Sequence, residues 1–150
     1  MSNYEIGTAY SNKPIVGFTC GAFDLCHPGH TQMFEYCKKH CDTLIIGLQT
    51  DPSIDRHEKT PPLEPLHVRA LRLYQNKDVD VVVPYNFETD LLELLKLLNI
   101  DIRFLDDSYK GKEFTGRSLA EIDKLHDLHY TPRKHLLSSS FLRHKISGCK

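Results

Sequence analysis

No uninterrupted apolar run in this chain approaches the length needed to cross a bilayer. Residues 1–12 are polar and lack the charged and apolar regions of a secretion signal. Both lacks favour a cytoplasmic location and leave no expectation of a membrane partner. A basic field is also missing. Nineteen Lys and Arg face 20 Asp and Glu, a formal net charge of -1, so nothing would hold a nucleic-acid backbone electrostatically. The five cysteines contain no Cys-x-x-Cys pair. An odd count at irregular spacing argues against a disulfide framework, and reduced thiols that pack as small apolar residues are expected. Residues 20–41 do gather four of those cysteines with His27, His30 and His40. They lack the paired-ligand spacing of a zinc site, so no protein metal ligand is assigned. Internal repeats, low-complexity stretches, a Gly-x-Gly-x-x-Gly fingerprint and a Walker A loop are absent as well.

What is present suits one globular domain. The 150 residues are 40% hydrophobic and 26% charged, close to ordinary averages and enough for one core. Residues 1–13 read as a loose arm and 14–150 as the domain. Residues 14–20 read as a buried strand that ends in the turn signal Gly21-Ala22-Phe23-Asp24. A helix over 29–40 follows, with Met33, Phe34, Cys37 and Cys41 on one face and Pro28 at its entrance. Residues 43–49 form a near-continuous apolar strand of the kind that favours a parallel sheet covered on both faces. A loop rich in proline and charge spans 50–64, and a helix 65–74. A strand over 79–83 is expected to stop at Pro84, before a leucine-rich helix over 89–98. The remainder reads as a strand at 101–105, a loop at 109–117, a helix over 118–128 and a short strand at 129–131. Ser118 and Glu121 are spaced as a capping box at the start of that helix. A last helix covers 138–146. Alternating strands and helices imply an α/β Rossmann-like parallel sheet flanked by helices, with ligands beyond the carboxyl ends of the strands.

The segment after the first strand is Gly21-Ala22-Phe23-Asp24-Leu25-Cys26-His27-Pro28-Gly29-His30. A glycine turn lets backbone N–H groups approach an anion, and a helix N-terminus adds partial positive charge. His27 and His30, three apart, point at one spot beside that helix end. Imidazoles there can donate hydrogen bonds to phosphoryl oxygens as charge builds in a transition state. Two histidines, two glycines and an aspartate at one strand-to-helix junction are unexpected for a plain surface turn.

This Gly-x-Phe-Asp-x-x-His-x-Gly-His pattern resembles the signature of the cytidylyltransferase-like nucleotidyltransferases. That family includes glycerol-3-phosphate, choline-phosphate and ethanolamine-phosphate cytidylyltransferases and the adenylyltransferase domain of the heptose-phosphate enzymes. The resemblance extends over residues 14–146. Thr50-Asp51 looks like the family's Thr-Asp after the second strand. Lys59 is similar to a family lysine that contacts the triphosphate, and Arg69 to an arginine that faces the ligand; Arg56 and His57 read as solvated charges. Residues 79–84 are similar to a stretch near the dimer interface of the glycerol-3-phosphate members, so the resemblance implies a homodimer. There are two departures. Asp106 stands where the family has glycine, with Asp107 and Tyr109 at its aspartate and aromatic positions. Near the C-terminus Leu136 replaces a glycine, while Arg133, Ser138 and Ser139 keep the arginine and hydroxyl pattern.

The resemblance implies attack by an acceptor phosphate on the α-phosphorus of a nucleoside triphosphate, with release of pyrophosphate. Such chemistry needs positioning and charge stabilisation rather than a protein nucleophile. His27 and His30 would stabilise the α-phosphate, Lys59 and Arg69 would neutralise charge, and Ser138 and Ser139 would hold the outer phosphates. Gly21, Ala22 and Phe23 would lie against the nucleotide, and Asp24 would orient either the acceptor or the turn. Mg²⁺ is expected with the polyphosphate. The compact length favours CTP and glycerol 3-phosphate. The alternatives are an adenylyltransferase for a sugar phosphate such as heptose 1-phosphate, and a degenerate, non-catalytic nucleotide-binding protein.

Overall fold

The computed structural model describes residues 13–132 and 139–148. Five strands alternate with helices: β1 (Val16–Gly21), α1 (Pro28–Lys38), β2 (Thr43–Gln49), α2 (Leu66–Tyr74), β3 (Val81–Tyr85), α3 (Glu88–Leu97), β4 (Ile102–Asp106), α4 (Arg117–Glu121), β5 (Asp127–Thr131) and α5 (Ser139–Gly148). A single 3-10 turn, Asp107–Tyr109, follows β4. The sheet order is β3-β2-β1-β4-β5, and every pairing is parallel. This is the expected Rossmann-like arrangement.

Alternation along the strands sends side chains to two apolar layers. Leu44, Ile46 and Leu48 of β2 join Phe34 and Cys37 of α1, Leu73 of α2 and Phe104 of β4 on one face. Phe18 of β1 and Ile45 of β2 join Leu91 and Leu95 of α3 and Leu119 of α4 on the other. Cys37 and Cys41 are core residues, as their reading as small apolar side chains requires. β2 lies inside the sheet, which is why its apolar run is unbroken.

Three boundaries differ from the sequence reading. Pro84 lies inside β3 rather than ending the strand. β3 is an edge strand, where a missing N–H is tolerated. β3 also begins later than expected, because the Asp80 carboxylate accepts the Leu44 N–H at 2.8 Å and pairs with Lys38. The helix expected over 118–128 ends at Glu121. Lys124 takes a positive φ of 55°, and residues 127 and 128 pair with Ile102 and Arg103 as the start of β5. The Ser118–Glu121 capping box does not form. Gly116 precedes the helix, and Glu121 bonds Arg117 at 2.9 Å instead.

The chain runs outward from β1 to β3, then crosses back to add β4 on the other side of β1. The strand order therefore reverses between β1 and β4, and the crevice at their carboxyl ends is where such sheets bind ligands.

Candidate active site

Two clefts flank the carboxyl end of β1, and Thr19, Cys20 and Gly21 line both. The first has a volume of about 540 Å³. Gly21, Ala22 and Phe23 form its floor, and His27, His30 and Tyr36 form the α1 wall. Asp106, Thr131 and Ser139 close the far rim.

The histidine pair is fixed by the backbone of α1. His27 is the N-cap, and its Nδ1 accepts the Gly29 N–H at 3.1 Å. His30 Nδ1 accepts the His27 N–H at 3.3 Å, closing a reciprocal capping box. The rings lie 4.0 Å apart between centroids. A ring nitrogen that accepts a backbone N–H carries no proton, so both neutral imidazoles present an Nε2–H donor on the opposite edge. Pro28 occupies the first helical turn, where no N–H is needed.

The turn before α1 is held under backbone strain. Phe23 and Leu25 take φ values of 48° and 49°, the left-handed region. Non-glycine residues persist there when the surroundings over-determine them. Phe23 packs against Phe34 and, edge-on, against His30. The Leu25 N–H donates to Glu64 Oε1 at 2.8 Å.

Asp24 points away from the first cleft and binds the turn to the rest of the protein. It is 2% exposed. Its carboxylate accepts the N–H groups of Leu63 and Glu64 at 2.8 and 3.0 Å and the Arg143 guanidinium. Ser139, the first residue of α5, donates its hydroxyl to the Asp24 carbonyl. Of the two roles expected for Asp24, the structure assigns the turn. Arg69 likewise differs from its expected ligand-facing position. It is 2% exposed, and its guanidinium donates to the carbonyls of Ala22, Gln49, Thr50 and Glu64 at 2.7–3.0 Å. It ties the β1 turn to the end of β2 and to the following loop. Burial presses its pKa below the ordinary arginine value, and the charges of Asp24, Asp51 and Glu64 oppose this.

The other expected residues divide. Asp106 lines the first cleft, with its carboxylate turned back to accept the Ser108 N–H at 2.9 Å. Asp107 is exposed and paired with Lys110 at 2.8 Å. Tyr109 belongs to the second cleft, edge-on to Phe114. Lys59 is exposed and lines neither cleft. Asp51 closes a local turn onto Ser53. Arg133, Leu136 and Ser138 lie outside the described residues. Among the described residues no group of three His, Cys, Asp or Glu is placed to hold a metal ion.

The sequence reading missed three arginines. Arg56 reads in sequence as a solvated charge, yet it lines the second cleft, 3.3 Å from Glu88 and 3.2 Å from Gln49 Oε1. Arg143 has no local signal, since its partner Asp24 lies far away in sequence. Arg103 did carry one: a lone charge inside the apolar strand Ile-Arg-Phe-Leu.

The sequence profile described as cytidylyltransferase-like matches residues 18–147. The chain is similar to the bifunctional protein HldE of Caulobacter vibrioides, 38% identical over 109 residues, which cover 72% of this chain and 21% of that protein. HldE of Sulfurimonas denitrificans is 36% identical over 120 residues, covering 78% of this chain and 24% of that one. The chain thus spans about a quarter or less of the length of these curated relatives. Among solved structures, a lipopolysaccharide core biosynthesis protein from Thermoplasma volcanium superposes with a TM-score of 0.65 at 22% identity. That match covers 83% of this chain and all of that one. A pantoate-beta-alanine ligase from Francisella tularensis gives a TM-score of 0.67 at 15% identity, covering 93% and 69%. At these identities the structural matches speak for the fold alone.

Proposed function

The chain belongs to the cytidylyltransferase-like family, and from that premise we propose that it transfers an adenylyl group from ATP to a sugar phosphate, with release of pyrophosphate. The reading is carried by the paired Nε2–H donors of His27 and His30 at the N-terminus of α1, in the cleft beside the strand-order reversal. The relatives named HldE support the heptose-phosphate branch over CTP and glycerol 3-phosphate, which chain length alone had favoured.

An oxygen of the acceptor phosphate forms a bond to the α-phosphorus. The bond from the α-phosphorus to the oxygen bridging to the β-phosphate breaks, and pyrophosphate leaves with that electron pair. His27 and His30 donate to the α-phosphate oxygens, on which charge accumulates; donors held in place beforehand are most effective for this. Gly21 and Ala22 let the nucleotide lie against the backbone. The N-terminus of α5, with Ser139 on the rim, adds partial positive charge for the outer phosphates. Lys59 supplies a further charge to the triphosphate, and Arg69 positions the turn through its carbonyl contacts. Mg²⁺ fits as an ion carried on the triphosphate, with Asp106 and Glu35 as the cleft carboxylates nearby, because it keeps most of its waters and takes few protein ligands. When bound it neutralises polyphosphate charge. A homodimer through the edge of β3, where Val81 is 39% exposed, is part of the same reading.

The test is pyrophosphate release with ATP, CTP, UTP and GTP against a panel of sugar phosphates and phosphorylated alcohols. Turnover with ATP and a sugar phosphate is expected. Turnover confined to CTP with glycerol 3-phosphate would overturn the choice of base and acceptor. Silence throughout, with a nucleotide still raising Tm, would make the protein a non-catalytic binder.

A further inference from the structure

Arg69 and Arg103 are each 2% exposed, yet their surroundings differ. Arg69 is taken up by four backbone carbonyls. Arg103, within β4, has one carbonyl, that of Thr115, and the Cys20 thiol sulfur at 3.9 Å. Its Nε is buried without a partner. Among the described residues no carboxylate lies within ion-pair distance of it. A buried cation with unfilled donors is strongly unfavourable until an anion completes it.

The protein around Arg103 is shaped to it. The Phe114 ring centroid lies 5.3 Å from the guanidinium carbon. Gly116, at φ 85°, lets the following loop pass close by: a Cβ there would meet Arg103 Nη1 at 2.9 Å and Leu95 at 2.5 Å. Arg103 lines the second cleft, of about 320 Å³. That volume is at the low end of the roughly 300–1,000 Å³ typical of small-molecule sites. Of the three acids of that cleft, Glu88 is paired with Arg56 and Glu113 with Arg117, while Glu58 is exposed. The Cys20 that Arg103 touches also lines the first cleft. An anion on Arg103 therefore sits one strand end away from the histidine pair.

We propose that Arg103 receives the phosphate of the acceptor, a small phosphomonoester held in the second cleft and presented across the end of β1 to the nucleotide in the first. This rests on the nucleotidyl-transfer reading above. A guanidinium suits a phosphate because its planar donors can engage two oxygens at once, and such charge-assisted bonds are strong. Phosphate binding at this place also explains why β4 carries a charge where packing alone calls for an apolar side chain.

The experiment follows the side-chain Nε–H resonance of Arg103 by NMR, assigned by its loss in Arg103→Lys, while the whole protein is titrated with inorganic phosphate at constant ionic strength. A saturable shift that persists with ATP bound, and phosphate affinity weakened about tenfold or more in Arg103→Lys, is the expected result. A resonance that phosphate does not move would overturn the proposal. So would a resonance that ATP alone saturates, since Arg103 would then serve the triphosphate. If Arg103→Lys fails to fold, through-bond correlation of the side-chain Nε–H to the Arg103 backbone assigns the resonance, and the wild-type titration still decides. A nucleotide-dependent rise in Tm, measured on the same sample, tests the nucleotide site separately.

Discussion

Arg143, on the last helix, donates to the carboxylate of Asp24, 119 residues earlier in the turn that follows β1. The pair joins the two ends of the domain at the site. Burial works against ionisation of Asp24. The Arg143 hydrogen bond, the Leu63 and Glu64 N–H groups and the Arg143 charge outweigh it, so the carboxyl pKa is held below its ordinary value. Asp24→Ala would leave a guanidinium and two N–H groups without their acceptor. The expected loss is about 3–5 kcal/mol, read as a lower urea midpoint, with Arg143→Met losing less. A cost under about 0.5 kcal/mol in Asp24→Ala would show that the pair does not join the two ends.

His27 has two separable duties. Its Nδ1 caps α1, and in the proposed reaction its other ring nitrogen would donate to the α-phosphate. His27→Ala should therefore lower stability by about 1 kcal/mol as well as reducing kcat by about 100-fold or more. His27→Asn keeps a capping oxygen and should recover the stability but not the rate. Equal loss of stability in both variants would refute the capping role.

Gly21 tests whether the nucleotide approaches the backbone. A Cβ there would meet the Phe23 ring at 3.5 Å, an ordinary contact. Gly21→Ala should leave the urea midpoint within about 0.5 kcal/mol of wild type while weakening ATP binding in calorimetry. Unchanged affinity would move the nucleotide off this strand end.

Stability should fall as pH drops below the histidine range. Burial pushes the pKa of His126 down, with the Arg103 charge helping, and burial with His40 does the same for His129. The unfolded chain takes up protons near the ordinary histidine value of about 6.5 while the folded chain does not. Stability is thus present above that pH and is lost on the way down to the folded pKa. His126 has neither ring nitrogen bonded. His126→Leu should flatten the profile between about pH 8 and about pH 5 and raise stability at its acid end. A slope identical to wild type would remove His126 from the account.

The sequence determined the order of strands and helices, because apolar periodicity and turn residues are local properties. It also determined the position of the histidine pair, since a motif that caps its own helix builds its geometry from neighbours in the chain. Tertiary structure decided the partners of the charges. Arg69 reads in sequence as a ligand-facing group and Asp24 as orienting either the acceptor or the turn, but folding surrounded one with carbonyls from three segments and the other with N–H groups and Arg143. Arg103, passed over in the sequence as part of a strand, became a buried cation at the boundary of two clefts. The helix read over 118–128 was shortened for the same reason: pairing with β4 claims residues 127 and 128 for a strand. A charge or a segment end takes its role from groups distant in sequence, and only the folded chain brings these together.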